Sequence, residues 1–440
     1  MIFINAREAA LLCLERCRRE GAWSGQTMDE IIKKASLNKR EAALAFRLCL
    51  GVLQNTSLFD FYIDKFSSVK AKKLEPKVRD ILMLGIYQIL YTNIPARAAV
   101  NESVSLCKKG GYERAAGLVN AVLRRVSEST GNMPEVPGAG TAEHLAIKYS
   151  HSKWLVDRIV GEQGYEHTEA FLASNNSESP LTLQINTLKI KPTEYKALLD
   201  ENGIEYKEHE FFDSCIFLEG GSVSQLPGFD DGLFYVQDEA ARAAAEIAGA
   251  EPGMRVLDAC SAPGGKSFAS AIRMKNTGSI LSCDVHEKKL RLVREGAARL
   301  GIDIIETQAA DARKLDESFN GAFDLVIADV PCSGIGVIGK KPEIRWKKEQ
   351  EIQGLPEIQL SILRRLSDCV KPGGTLLYST CTVLKAENEE LVEQFLRERE
   401  DYALEAFRLG DKFIDNGMHC FWPNIDGTDG FFAAKLKRIK

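Results

Sequence analysis

Four short apolar runs, MRVLDA (254–259), SILSCDV (279–285), FDLVIADV (323–330) and GTLLYST (374–380), recur in the second half of the chain, spaced by helix-length segments such as EKKLRLVREGAARLG and QLSILRRLSDCV. Strands that are apolar almost throughout must be covered on both faces, and strand, helix, strand alternation lays them side by side and parallel. The pattern predicts a doubly wound, Rossmann-like α/β sheet over residues 231–440. Ligands of such sheets bind beyond the carboxyl ends of the strands. The residues that follow each run are therefore the ones to read for chemistry.

The first half has a different texture. Residues 5 to about 128 read as helices: Asn5 with Glu8, and Asn38 with Glu41, have capping-box spacing ahead of apolar-periodic runs. KVRDILMLGIYQILY (77–91) keeps near-helical apolar spacing, and Pro95 stops it. This predicts an all-α domain over residues 1–130. GNMPEVPGAGTAE (131–143) reads as a linker. Residues 144–230 alternate helical patterns (WLVDRIVGEQG, PTEYKALLDENG) with strand-like pieces (LTLQINTLKI, CIFLEGG), predicting a small α+β module that could serve as a platform for substrate. A chain of 440 residues is long enough for each of these parts to bury a core.

Net charge is −5, but the first 130 residues carry an excess of Lys and Arg and the remainder an excess of Asp and Glu. A basic front points to a polyanion such as nucleic acid, although solvated helix faces explain the charge almost as well. No apolar run approaches the roughly 18 residues of a membrane span, and the N-terminus lacks the basic start and unbroken apolar run of a signal peptide. The expectation is a cytoplasmic chain with no membrane partner. Eleven cysteines without CxxC pairs or Cys/His clusters argue against structural zinc and against a disulfide scaffold, so no metal is expected.

The first strand end opens into DACSAPGGKS (258–267). Its Gly-Lys-Ser ending imitates a phosphate-binding loop, but Cys260 stands where that loop needs its first Gly, and Pro263 has no N–H to give. The dinucleotide fingerprint GxGxxG is absent as well. Gly264 and Gly265 still allow close approach of a ligand at a helix N-terminus. Asp284 ends the second strand, placed to bond both hydroxyls of a ribose, and Asp311 follows a third candidate strand, where its carboxylate or nearby backbone could hold an adenine edge. With Asp258 these make three carboxylates at successive strand ends and no phosphate loop, which describes a site for S-adenosylmethionine.

The last two runs present Cys332 in ADVPCSG and Cys381 in YSTCTV at the same edge. A pyrimidine C5 is too weakly nucleophilic to take a methyl group directly. Attack by a thiolate at C6 makes C5 an enamine carbon that can, splitting one hard step into two easier ones. An ordinary thiol is only a few per cent ionised at neutral pH, so such a site must lower its pKa or supply a base. Chemistry alone does not say which cysteine attacks, because a Pro-Cys nucleophile like Pro331-Cys332 is equally conceivable.

These motifs, with DVH, DARKL, the KKPEIRW segment and STC in the same order, resemble the RNA cytosine-C5 methyltransferases of the Nop2/Sun family over the C-terminal two-thirds. The helical front resembles the antitermination factor NusB, a combination similar to bacterial enzymes acting on 16S ribosomal RNA. The resemblance implies S-adenosylmethionine contacts from Cys260, Ser261, Ala262, Pro263, Gly264, Gly265, Lys266, Asp284, Asp311 and Asp329. It implies Cys381 as nucleophile, Cys332 as the cysteine that assists product release, and Asp329 and Lys266 beside the base. The implied partner is 16S ribosomal RNA, free or in an early small-subunit particle, bound by a monomer. Arg345 and Trp346 in EIRW would either contact RNA or belong to a loop packed on the sheet. Gln184, Ser152 and Ala241 stand where the family has Arg, Pro and Ser, which bears on RNA contacts rather than on the reaction. A transfer RNA methyltransferase and a non-catalytic RNA-binding assembly factor are the alternatives.

Overall fold

The computed structural model describes residues 4–177, 180–219 and 223–440; Gly220 and Gly221 of CIFLEGG lie outside them. The chain forms two compact units, Met1–Ser177 with Ile338–Glu349, and Glu178–Val337 with Gln350–Lys440.

The first unit opens with a helix over Ala6–Glu20 whose capping box is complete: Asn5 Oδ1 accepts the Arg7 and Glu8 amides, and the Glu8 carboxylate accepts the Asn5 amide. At Asn38 only the forward half forms, with the Glu41 amide bonding the Asn38 side chain. Further helices cover Ser24–Ala35, Lys39–Gln54, Thr56–Phe66, Pro76–Tyr91, Ala96–Lys109 and Ala116–Glu128. The Pro76–Tyr91 helix is the central one, with Val78, Ile81, Leu82, Met83, Leu84, Ile86 and Ile89 all buried. Pro95 lies past its end and starts the next helix rather than terminating this one. Three shorter helices, Ala142–Lys148, Lys153–Gln163 and Tyr165–Ser174, complete the unit.

Segment 338–349 belongs to this unit, and it corrects the expectation for Arg345. That side chain is 0% exposed. Its Nη1 donates to Gln54 O at 2.7 Å and Asn176 Oδ1 at 2.9 Å, with longer bonds to Tyr149 O and Ser150 O, and Nη2 donates to Asn175 O. Burial lowers its pKa to about 9. The guanidinium is thus a buried clasp among helix-end carbonyls, neither offered to RNA nor packed on the sheet. Trp346 is 37% exposed.

In the second unit, strands β1 (Leu181–Ile185), β2 (Lys207–Glu208), β3 (Cys215–Leu218) and β4 (Phe234–Val236) form an antiparallel sheet in the order β2-β3-β1-β4. Leu183, Ile185, Ile216 and Leu218 pack with Tyr195 and Leu199 of the helix Pro192–Glu201.

The larger sheet contains β5 (Arg255–Asp258), β6 (Ser279–Asp284), β7 (Ile305–Ala309), β8 (Phe323–Asp329), β9 (Val370–Thr380), β10 (Tyr402–Leu404), β13 (Met418–Phe421) and β14 (Phe431–Arg438); β11 (Phe407–Leu409) and β12 (Lys412–Ile414) form a separate hairpin. The order is β10-β14-β9-β8-β5-β6-β7, with β13 beside β14. Strands β7, β6, β5, β8 and β9 are mutually parallel, and β14, β10 and β13 add antiparallel neighbours that make the sheet mixed. Alternate residues enter different cores: Val256, Leu325, Ile327 and Leu377 one, Leu257, Val326, Ala328, Leu376 and Tyr378 the other. That two-sided burial is why these strands are apolar at nearly every position. The parallel pairing of β5, β6, β8 and β9 brings their carboxyl ends to one edge.

No single helix among the described residues is long and apolar enough to cross a membrane. No group of three or more His, Cys, Asp or Glu among them is placed to hold a metal ion.

Candidate active site

Strand β5 ends at Asp258, which is 1% exposed. Its Oδ2 accepts the Ser267 hydroxyl at 2.6 Å, and that hydroxyl lies 2.7 Å from Ser282 Oγ. Oδ1 has no partner among the described residues. Burial, reinforced by the charges of Asp329 and Asp284 and opposed by Ser267 and Lys266, pushes the carboxyl up to about 7.

The loop that follows is fixed by its own backbone: the Ser261 amide bonds Cys283 O at 2.8 Å and the Gly264 amide bonds Ser261 O at 2.7 Å. Gly264 has φ +115°, and a Cβ there would come within 2.5 Å of the Phe268 ring; one at Gly265 would meet Gln237 Nε2 at 3.0 Å. Only glycine fits the first position, and its bare backbone leads into the N-terminus of the helix Gly265–Arg273. Two more buried oxygens lack partners among the described residues, Ser261 Oγ and Gln237 Oε1. Cys260 is half-buried, and burial with the neighbouring carboxylates pushes its thiol far up.

Asp284 ends β6, its Oδ1 accepting the His286 amide at 2.8 Å. Asp311 lies just beyond β7 and pairs with Arg313 at 3.0 and 2.7 Å, which holds its carboxyl down at about 2. Three unpaired buried oxygens, a bare glycine loop at a helix N-terminus and the Asp284 carboxylate fit a ligand with an amine, a carboxylate and ribose hydroxyls. S-adenosylmethionine carries all of these.

The ends of strands β8 and β9 lie beside the glycine loop. Asp329, the last residue of β8, bonds Lys266 Nζ at 2.7 Å through Oδ2 and the Ser379 hydroxyl at 2.8 Å through Oδ1. Lys266 Nζ also lies 4.8 Å from the centre of the Phe431 ring on β14. Beyond the two strand ends, Cys332 Sγ and Cys381 Sγ stand 2.9 Å apart, and the Cys381 amide points at Cys332 Sγ at 3.3 Å. The hydrogen bond with Cys381, then burial, then the charge of Cys381 and, behind it, that of Glu387 push the Cys332 thiol well above its ordinary range. Behind them Gly336 approaches Gly430 so closely that a Cβ on Gly336 would overlap Gly430 O at 1.8 Å.

Two thiols thus stand beside a Lys-carboxylate pair at the carboxyl edge of the sheet, and the chain as a whole is similar to proteins from several bacteria. The chain is 36% identical to the probable ribosomal RNA small subunit methyltransferase B of Bacillus subtilis, covering 99% of each chain. It is 32% identical to the ribosomal RNA small subunit methyltransferase B of Klebsiella pneumoniae, covering 98% of each. The chain belongs to the ribosomal RNA small subunit methyltransferase B family. Like other members of that family it is a methyltransferase. Its parts match three family descriptions: the NusB family over 4–128, the ferredoxin-like domain of RsmF/B-like methyltransferases over 151–224, and the 16S rRNA methyltransferase RsmB/F over 247–437. Among solved structures, that of PH0851 superposes with a TM-score of 0.82 at 27% identity over 99% of each chain. A methyltransferase homolog protein from Pyrococcus horikoshii gives 0.60 at 26%, covering 68% of this chain and all of that one.

Within this methyltransferase B fold, the structure brings Lys266, Asp329, Cys332 and Cys381 close around the ends of β8 and β9, and gathers Cys260 to Gly265 beside Asp258 and Asp284. The Asp311 carboxylate is engaged by Arg313. Gln184 is 1% exposed and donates to Cys215 Sγ and Gln237 O, so it is a buried prop. Ser152 precedes the helix Lys153–Gln163 and bonds Arg345 O, and Ala241 lies within the helix Glu239–Ala248. Sequence reading did not single out Gln237 and Ser267, which lie against this loop and Asp258. Gln237 left a faint signal, a polar residue between a strand and the helix-capping Asp238.

Proposed function

We propose that this methyltransferase transfers a methyl group from S-adenosylmethionine to C5 of a cytidine in 16S ribosomal RNA, through a covalent bond between Cys381 and C6 of the base. The 2.9 Å approach of Cys332 and Cys381 beside the Lys266–Asp329 pair carries this reading. The bound cofactor supplies an electrophilic methyl group; everything else is done by the chain. Asp258, Asp284, Asp311 and the loop Cys260–Lys266 bind and orient the cofactor, and Asp329, paired with Lys266, accepts from the N4 amino group of the base and from N3 once that atom is protonated as the adduct forms. Cys381 adds to C6 as a thiolate, C5 takes the methyl group as the sulfonium S–CH3 bond breaks and S-adenosylhomocysteine is left, the C5 proton passes through a base to solvent, and the C6–S bond breaks to return the thiolate. Cys332, kept as a neutral thiol, hydrogen-bonds the departing sulfur and so assists release. Residues 1–130 and the module 144–230 hold the RNA while the cytidine, in a loop or bulge, is exposed to the site 231–440 at a cost of a few kcal/mol. The basic front and the relatives' names support the small-subunit RNA as substrate and the cytoplasm as the place of action.

The test is a denaturing gel of enzyme incubated with 16S ribosomal RNA and S-adenosylmethionine. A protein–RNA adduct should accumulate in Cys332→Ala and disappear when Cys381 is also replaced. Accumulation in Cys381→Ala instead would overturn the assignment.

A further inference from the structure

Behind the two thiols lies a buried polar network that the reaction as described does not use. Glu387, 2% exposed, closes the short turn Lys385–Glu387. Its Oε2 accepts the Ser333 amide at 2.9 Å and Gln359 Nε2 at 2.7 Å, and the same Gln359 amide group donates to Pro331 O at 2.9 Å. The two residues flanking Cys332 are therefore both tied to one carboxylate, Ser333 directly and Pro331 through Gln359. The next residue in the chain, Asn388, does the same for Cys381: its Oδ1 accepts the Thr380 hydroxyl at 2.6 Å and its Nδ2 donates to Thr382 O at 3.0 Å. Ser333 Oγ and Thr382 Oγ1, 2.8 Å apart, join the two halves. Gln359, Ser333, Thr380, Thr382 and Asn388 are all fully buried.

Burying a carboxylate is costly, and well-packed apolar side chains in its place would serve stability as well or better. What the network provides that apolar packing cannot is a fixed register between two loops, each bond directional and each loop held on both sides of its cysteine.

We propose that Glu387 is a positioning residue for product release: its carboxylate clamps the Pro331–Ser333 loop so that the Cys332 thiol faces Cys381. The inference rests on the reading of Cys381 as nucleophile and Cys332 as the thiol that assists its departure. Glu387 touches neither substrate nor cofactor in this account and acts only through Cys332. Its negative charge has a second effect in the same direction, since it helps keep Cys332 a hydrogen-bond donor rather than a competing thiolate.

The consequence is specific. Loss of a merely structural group lowers every activity together, whereas loss of the clamp leaves attack and methyl transfer intact and stalls release. Full-length Glu387→Ala, Glu387→Gln and Cys332→Ala are compared with wild type, using 16S ribosomal RNA and S-adenosylmethionine, for adduct on a denaturing gel and for kcat and KM. Glu387→Ala should accumulate adduct about tenfold over wild type, with kcat down by a similar factor and KM for RNA within about twofold. Glu387→Gln, which keeps an acceptor for the Ser333 amide, should accumulate less. If Glu387→Ala does not fold, Gln359→Leu, which cuts the bridge to Pro331, is read in the same way. A folded variant with no adduct above wild type, while Cys332→Ala accumulates it, overturns the inference. Absence of adduct in Cys332→Ala overturns the underlying reading instead.

Discussion

Lys266 Nζ lies 2.7 Å from Asp329 Oδ2, while Ser379 holds the other carboxylate oxygen. The pair joins the glycine loop of β5 to the end of β8, so a change at Asp329 is felt in both. Asp329→Asn keeps the shape and a partner for Ser379 but leaves the Lys266 charge uncompensated. The expected outcome is a fall in kcat of about 10²-fold or more with an unchanged circular dichroism spectrum, measured by transfer of labelled methyl to 16S ribosomal RNA.

Asp258 makes stability depend on pH. Its carboxyl is raised from 3.8 to about 7 in the fold, so the folded chain binds more protons than the unfolded chain across that window. Its contribution is fully present below about pH 4 and is lost as pH rises through about 7, to the extent of about 4 kcal/mol. His151, buried and held well below its usual range, acts with the opposite sign as pH falls. The difference between wild type and Asp258→Asn in urea unfolding at pH 5 and pH 8 isolates the effect: wild type should lose more stability on going to pH 8.

Gly264→Ala forces a side chain into a backbone conformation at φ +115° and against the Phe268 ring. Destabilisation of about 1–3 kcal/mol is expected, together with weaker S-adenosylmethionine binding by calorimetry. Gly117→Ala, on an open helix surface with no atom near the new Cβ, serves as the control: it should leave S-adenosylmethionine binding unchanged and stability unchanged or raised by up to about 1 kcal/mol, alanine being the better helix former.

Arg345→Met removes the donor shared by the carbonyls of Gln54, Tyr149, Ser150 and Asn175. Leaving several buried acceptors unpaired should cost about 3 kcal/mol or more. Because Arg345 is not offered to RNA, the slope of RNA affinity against salt should not change in the folded variant, whereas loss of a phosphate contact would reduce it by about one.

Much of this was legible in the sequence because two-sided burial writes itself into composition. The runs that became β5, β6, β8 and β9 are apolar on alternate residues of both parities, and the candidate site residues Asp258, Asp284, Asp329 and Cys381 stand at or just past their ends. Strand β7 left no such run: IETQA lies at the sheet edge and is mostly exposed, so only the position of Asp311 hinted at it. The antiparallel strands β10, β13 and β14 went unread, since pairing with a strand far away in sequence leaves no local period. Arg345 was misjudged for a related reason. A charged side chain beside an exposed Trp346 looks like a surface group until the carbonyls that surround it, drawn from residues 54 and 149–176, are brought together by folding. Glu387 and Gln359 share that fate, because a hydrogen-bond network has no sequence pattern of its own.

The return of residues 338–349 to the helical unit has a consequence for the inheritance of the whole chain. Neither unit is a continuous stretch, so no single cut separates them. A fragment ending at residue 177 would keep the Gln54 and Ser150 carbonyls and lose the guanidinium that bonds them. A fragment starting at 178 would carry the clasp with nothing to fasten. Removing the whole helical unit therefore means rewriting as well the dozen residues, 338–349, that follow the Cys332 loop.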